Sequence, residues 1–443
     1  MTPGIDTGSA SDPHQELPTH PKPLGVSPRA GRQASHRARR LGIDDVAQRI
    51  VLDVADRIAV GSLESVLPEG TVVQCGPAGT TRPLRLVVRN PRFFARVLRR
   101  PRVSVGEAYV DGDWETDDLP GVLRLLILSV ERARGRRPFA AINSLGRYRP
   151  PLRLPQTKRR AEQDIHYHYD LGNDFFRLFL DESMTYSCAH FLHPSESLEE
   201  AQRNKYRRIC EKLHLTANDH VLEIGCGWGG FAAYAAEEFG ARITSLTISR
   251  KQFEFARQRI VDAGLADRVE IRYQDYRETS GRFSRIVSIE MLEAIGHSQL
   301  GTFFAACDRL LEPDGLACIQ SIAMPDQRYE RYRRQTDWIR KYIFPGANLP
   351  SLDAVSTAMT RSSELTIHEV EDIGIHYAAT LRIWRERFHA NIDRVRALGY
   401  DQRFERMWDF YLAACEAGFE LRALRDLQLV LTRPLNGSLP RFT

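Results

Sequence analysis

This chain has no stretch apolar enough to cross a bilayer: a spanning helix needs about 18 or more apolar residues in a row, and no such run occurs. The first forty residues also lack the apolar core of a secretory signal, roughly 7–15 residues long. They are rich in Gly, Ser, Pro, His and Arg without apolar periodicity, so residues 1–40 are expected to form a disordered tail. Cysteine is sparse: the seven residues are odd in number and include no C-x-x-C pair. That excludes a disulfide framework and a zinc ribbon and points to reduced thiols in a cytoplasm, with no metal site. Neither zinc-finger spacing nor an RNP-like aromatic strand is present, so nucleic acid has no recognisable reader.

Acidic residues are missing from one place in particular. Between Arg132 and Arg160 there are ten Lys or Arg and no Asp or Glu, interleaved with Phe139, Leu145, Tyr148 and Leu152, although the net charge of the chain is only +5. Phe93, Phe94, Val97 and Leu98 beside Arg96, Arg99, Arg100 and Arg102 suggest a second basic, apolar patch. Each cation near an anionic leaflet contributes about 1 kcal/mol. These stretches therefore predict reversible, peripheral attachment to an anionic membrane surface on its inner face, the bland alternative being a solvated linker.

What is present organises into parts. A length of 443 residues with 42% hydrophobic content suits two or three domains. Residues 41–131 mix a helical start with short alternating runs and predict a small α+β domain. Residues 132–163 form a basic linker, and 164–443 hold the catalytic domain. The acidic, aromatic stretch Val105 to Leu119 suggests a surface turn with Trp114 partly buried.

The stretch HVLEIGCGWGGFAAYAAEEFGARITSLTISR, His220 to Arg250, joins an apolar strand, a glycine-rich turn and a helix in that order. In an open α/β sheet, ligands bind outside the carboxyl ends of the strands. The spacing E-x-G-x-G-x-G differs from the dinucleotide fingerprint G-x-G-x-x-G, and no lysine follows to hold a phosphate, which weighs against NAD and ATP. Glu223 before the turn suits a cationic or amine-bearing ligand, and S-adenosylmethionine carries both an ammonium and a sulfonium. Further strands are expected at Ala241 to Leu246, Val269 to Tyr273, Arg285 to Ile289 and Leu316 to Ile322, with a helix from Lys251 to Ala263. Their ends deliver Thr247, Ile248, Ser249 and Gln252 towards a ribose, Asp275 and Tyr276 towards an adenine, and then Glu290 and Glu293.

The segments IHYHYDLGNDFFRLFLDESMTYSCAHF, LEIGCGWGGFAAYAA, LTISRKQ, SIEMLEAIG and KYIFPGANLPS resemble the cyclopropane-fatty-acyl-phospholipid synthase family, relatives of the mycolic acid cyclopropane synthases. The likeness covers roughly residues 160 to 430. It implies a doubly wound, Rossmann-like class I SAM-dependent methyltransferase fold, and methyl transfer from S-adenosylmethionine to the cis double bond of an unsaturated phospholipid acyl chain, closing a cyclopropane ring. By the same resemblance Tyr186, Ser187, Gly225, Gly227, Thr247, Ile248, Gln252, Asp275 and Tyr276 line the cofactor. A bound bicarbonate, held by Cys188, Glu293, Gln320, Ile322 and Tyr377, takes the proton. Gln320 stands where the family usually has histidine, and Ala294 where a histidine often follows the glutamate. Gln320 donates and accepts hydrogen bonds but carries no proton.

The resemblance also directs Tyr169 and the apolar residues after Asp326 at the acyl chain. Gln327 to Phe344 reads either as a lid touching lipid or as ordinary packing. A homodimer is a further partner to test. Two other readings stay open beside the ring-forming synthase: a methyltransferase making 10-methylene or methyl-branched lipids, and a non-enzymatic lipid binder.

Overall fold

The computed structural model describes residues 42–77, 83–133 and 171–439. The expected tail, nearly all of the basic linker and Tyr169 lie outside the described residues.

Residues of the amino-terminal part build a small sheet from β1 (Leu63–Val66), β2 (Val72–Cys75), β3 (Leu84–Val88) and β4 (Trp114–Glu115), in the order β2-β1-β3-β4. Around it pack α1 (Ile43–Ile58), α2 (Arg92–Arg99), α3 (Pro101–Val110) and α4 (Leu119–Arg132). Two expectations change here. The apolar side of α2 faces inward: Phe93 and Phe94 are buried, and Arg96 is tied to Asp111 at 2.8 Å and Asp113 at 2.6 Å. The second basic, apolar patch is therefore a core face edged with ion pairs, because burying two phenylalanines outweighs anything they gain on the surface. The stretch from Val105 is likewise the end of α3 rather than a surface turn. Trp114 after it is wholly buried, its indole N–H donating to the Val105 carbonyl at 2.9 Å.

The carboxy-terminal part holds a seven-stranded sheet ordered β10-β11-β9-β8-β5-β6-β7. Its strands are β5 (His220–Ile224), β6 (Arg242–Thr247), β7 (Val269–Tyr273), β8 (Phe283–Ile289), β9 (Leu311–Ala323), β10 (Thr366–Asp372) and β11 (Arg425–Thr432). The five expected strands pair in parallel, as near-continuous apolar runs between helices require. β10 and β11 then join antiparallel at the β9 edge, with Gln320 opposite Gln428 and Ile322 opposite Asp426. The chain leaves β5 towards β6 and β7 and later returns to β8 on its other side, so a switch point opens at the carboxyl ends of β5 and β8.

The helices of this part include α5 (Leu198–Lys212), α6 (Gly230–Phe239), α7 (Arg250–Asp262), α8 (Leu300–Leu310), α9 (Leu352–Ser362), α10 (Gly374–Ala390) and α11 (Gln402–Glu420). α5 starts at a capping box in which Ser197 and Glu200 satisfy each other's backbone amides. α11 carries the amino-terminal helices: Tyr109 donates to Asp409 at 2.8 Å, and Arg406 reaches the carbonyls of Tyr109 and Trp114. The described residues accordingly belong to one compact unit, with a core cluster common to both parts.

Candidate active site

A cleft opens at the switch point, with about 1270 Å³ of empty space, solvent at its mouth included. Its walls contain Tyr186, Ser187, Glu223, Gly225, Gly227, Thr247, Ile248, Gln252, Asp275 and Tyr276, so the structure brings together all the residues assigned to the cofactor from sequence. Tight backbone geometry makes the floor. Gly225 and Gly227 adopt φ of +94° and +51°, a region that side chains other than glycine rarely occupy. The Gly225 and Cys226 amides both bond the Leu246 carbonyl, at 3.0 and 2.9 Å, which folds the turn against the end of β6. Among the described residues other than its two chain neighbours, none comes within 4 Å of where a Gly227 side chain would begin, so that face is open.

Polar groups around this floor match a nucleoside bearing an amino acid. Thr247 donates to Gln252 at 3.2 Å, and Ser249 caps α7. Glu223 is buried and accepts from Ser245 at 2.5 Å; burial pushes its carboxyl up to about 7, so a cationic ligand is needed to favour its charged form. Asp275 is gripped by its neighbour Arg277 at 2.6 and 2.9 Å, leaving only its remaining lone pairs for an adenine amino group. An aromatic wall closes the far side. Tyr186 stacks on Trp384, with ring centroids 5.2 Å apart, and shares a 2.8 Å hydrogen bond with Tyr411, while Trp228 donates to Asn173.

Beyond the cofactor residues the cleft ends on Glu290, just past β8, with a φ of +51° that is unusual for a glutamate. Its carboxylate accepts from the Cys188 amide at 2.8 Å, from Gln320 Nε2 at 3.0 Å and from the Tyr377 hydroxyl at 2.7 Å. Glu293 lies apart from these donors, accepting from the Ile322 amide and from Ser321 Oγ. The five residues assigned to a bicarbonate thus divide: Cys188, Gln320 and Tyr377 enclose Glu290, and Ile322 holds Glu293. Bicarbonate does not fit this arrangement, because the donors meant for it already serve the Glu290 carboxylate. Burial raises both glutamates, Glu293 to about 8 with the charge of Glu290 adding to the effect.

Sequence reasoning placed Glu290 at a strand end without a role and missed Lys205, Asp426 and Gln428. Lys205 is fully buried on α5, donates to Ser187 Oγ at 2.8 Å and lies 4.2 Å from the centre of the Tyr206 ring; burial pulls its ammonium down to about 8. A signal was available for it. Leu198, Ala201, Gln202, Lys205, Tyr206 and Ile209 make the inward stripe of α5, and a glutamine and a lysine on such a stripe need buried partners. In β11, alternation likewise puts Asp426 and Gln428 on one face of an otherwise apolar strand.

The stretch from Gln327 to Phe344, read from sequence as lid or packing, is packing. Tyr329 and Trp338 are buried, Tyr329 bonds His297 and Asn348, and Trp338 lies against Phe410.

Comparison with known proteins gives concordant similarities. Residues 156–429 match the model of the family described as mycolic acid cyclopropane synthetase. The chain is 38% identical to the tuberculostearic acid methyltransferase UfaA1 of Mycobacterium tuberculosis, over 88% of this chain and 91% of that protein. It is 37% identical to the cyclopropane-fatty-acyl-phospholipid synthase of Escherichia coli K12, over 81% of this chain and 90% of that one. Among solved structures, the mycolic acid cyclopropane synthase CmaA1 in complex with SAH and CTAB superposes with a TM-score of 0.57 at 30% identity, covering 61% of this chain and 98% of that chain.

Proposed function

This chain belongs to the mycolic acid cyclopropane synthetase family and is a SAM-dependent, lipid-modifying methyltransferase, and from that premise we propose that it methylates the cis double bond of unsaturated phospholipid acyl chains with Glu290 as the proton acceptor. One observation carries this: the cofactor cleft runs directly into a half-buried carboxylate that is held by three donors.

S-adenosylmethionine, when bound, supplies a methyl group on a sulfonium. The protein supplies the rest. The glycine turn, Thr247, Gln252, Asp275 and Tyr276 hold the nucleoside, and that orientation accounts for much of the rate, because an alkene is a weak nucleophile. Attack by the π bond leaves a cation on the acyl chain. The rings of Tyr186 and Trp228, with Trp384 stacked behind Tyr186, exclude water that would trap it as an alcohol. Glu290 lies at the end of the cleft, stabilises the cation electrostatically as its carboxylate and takes its proton.

The cation has two exits. Loss of a proton from the added methyl closes a cyclopropane ring, whereas a hydride shift first moves the cation to the methyl-bearing carbon, and loss of a proton from that methyl then leaves a methylene branch. The ring-forming route of the family, as the resemblance describes it, uses a bicarbonate, and here Glu290 takes up the donors for one. That departure, together with the likeness to the tuberculostearic acid methyltransferase, favours the branched product.

Attachment to an anionic membrane surface remains part of this proposal, carried by the composition of Arg132 to Arg160. None of the helices among the described residues is long and apolar enough to cross a membrane. Lipid analysis of cells expressing the chain tests the function. A new fatty acid heavier by one methylene unit is expected. If it takes up hydrogen under mild catalysis it is the branched alkene, and if it resists it is the ring. Unchanged lipids would overturn the proposal.

A further inference from the structure

Asp426, on β11, stands beside Glu290 and has no part in the chemistry above. It is fully buried. Its Oδ2 accepts from Gln320 Nε2 at 2.9 Å, and the same nitrogen donates to Glu290 Oε1 at 3.0 Å; Gln320 Oε1 is fixed in turn by Gln428 Nε2 at 3.1 Å. One amide, locked in orientation, ties two carboxyl groups together. Among the described residues Asp426 Oδ1 has no hydrogen-bond donor, and it is shut off from solvent. As part of a carboxylate it would be an orphaned, desolvated oxygen next to a second carboxylate. As the O–H of a carboxylic acid it becomes a donor, and Glu290 is within hydrogen-bonding reach.

Two adjacent carboxyl groups, one half-buried and one fully buried, disfavour each other's ionisation, and the surrounding donors decide which one ionises first. Glu290 collects the Cys188 amide, the Tyr377 hydroxyl, Lys205 and Gln320 against its burial. For Asp426, burial and then the charges of Glu290 and Glu293 raise the carboxyl well above the usual range, against the opposing hydrogen bond from Gln320 and the charge of Lys205. The other groups facing it are Lys205 from α5, Cys188 before that helix, Tyr377 from α10, and Asp372, which accepts weakly from the Asp426 amide.

We propose that Asp426 is a positioning residue that stays neutral and donates to Glu290, keeping that carboxylate ionised and aimed into the cleft. The inference rests on the reading of Glu290 as proton acceptor. In the step it supports, a C–H bond of the cationic chain breaks and its electron pair closes the ring or the alkene. The proton goes to Glu290, the pair then holds two protons, and one is released to water before the next turnover.

Asp426→Asn copies the shape of the neutral acid, and Asp426→Leu removes the donor. Full-length enzyme is assayed by transfer of a labelled methyl to vesicles of unsaturated phospholipid across a pH series, with cofactor binding followed by calorimetry. The Asn variant is expected to stay within about 3-fold of wild-type kcat near neutrality and to lose any alkaline fall caused by ionisation of Asp426. The Leu variant is expected to lose about 10-fold or more in kcat, with its acid limb moved to higher pH and cofactor affinity retained. An Asn variant as impaired as the Leu variant would mean that Asp426 works as an anion, and an unshifted profile in both would leave it a packing role; either overturns the proposal. Infrared difference spectra of the substrate-free enzyme at neutral pH give a readout independent of turnover. Beside the bands of other protonated acids such as Glu293, which every variant shares, one protonated-carboxyl band is expected to be lost relative to wild type in Asp426→Asn and kept in Glu290→Gln, and an unchanged set of such bands in Asp426→Asn overturns the proposal even if the lipid substrate is another one.

Discussion

Tyr377 donates its phenolic hydroxyl to Glu290 at 2.7 Å, joining α10 to the end of β8 across 87 residues of sequence. With Cys188 and Gln320 it makes Glu290, rather than Glu293, the centre of the acid site. Burial and the neighbouring carboxylate charge also push the Tyr377 phenol well above its ordinary value, so it remains a donor.

Glu290→Gln keeps the size of the side chain and removes its charge and basicity. Turnover is expected to fall about 10²–10⁴-fold, the usual share of a general base. Cofactor affinity, measured by calorimetry, should change little. Near-normal methyl transfer in this variant would place the proton acceptor elsewhere.

Glu293→Gln should behave differently. Its carboxyl is raised to about 8, so near neutrality it is mostly protonated and an amide imitates it; activity is expected to change only a few-fold. Stability carries a second signature. The folded chain keeps this proton up to about pH 8 while the unfolded chain loses it near the ordinary 4.5, so the group's contribution is full below 4.5 and is lost as pH rises through about 8. Denaturant unfolding between about pH 5 and pH 9 should show a shallower decline in the variant than in wild type.

Gly227→Val places a branched side chain at φ +51°, where only glycine is relaxed, on the open face of the cofactor cleft. Binding of S-adenosylmethionine should be lost while the fold, followed by circular dichroism, survives. Unchanged affinity by calorimetry would misplace the cofactor.

Vesicle binding should increase with anionic lipid and weaken with salt if the segment from Arg132 to Arg160 attaches the chain to a membrane. Deleting its charges by substitution to Gln should abolish the difference between neutral and anionic vesicles. Equal sedimentation with both kinds of vesicle in the unmodified chain would remove the electrostatic claim.

The parallel strands, the glycine turn and the cofactor residues Thr247, Ile248, Gln252, Asp275 and Tyr276 were legible in the chain itself because each is local, an apolar run, a turn and the residues just after a strand lying next to one another in sequence, whereas Tyr186 and Ser187 were assigned only through the family resemblance. Only the tertiary structure decided the acid site. Cys188, Glu290, Gln320, Tyr377 and Asp426 come from five separate elements, and the antiparallel pairing of β9 with β11, which sets Ile322 opposite Asp426, has no local signature. The same holds for the arginines and phenylalanines of α2, which read as a membrane patch in sequence. Whether a mixed face turns to solvent or to the core depends on what packs on it, here the acids at 111 and 113 and the buried Trp114. Glu293 carries the same carboxyl group as Glu290, and the protein distinguishes them by which donors the fold brings within reach.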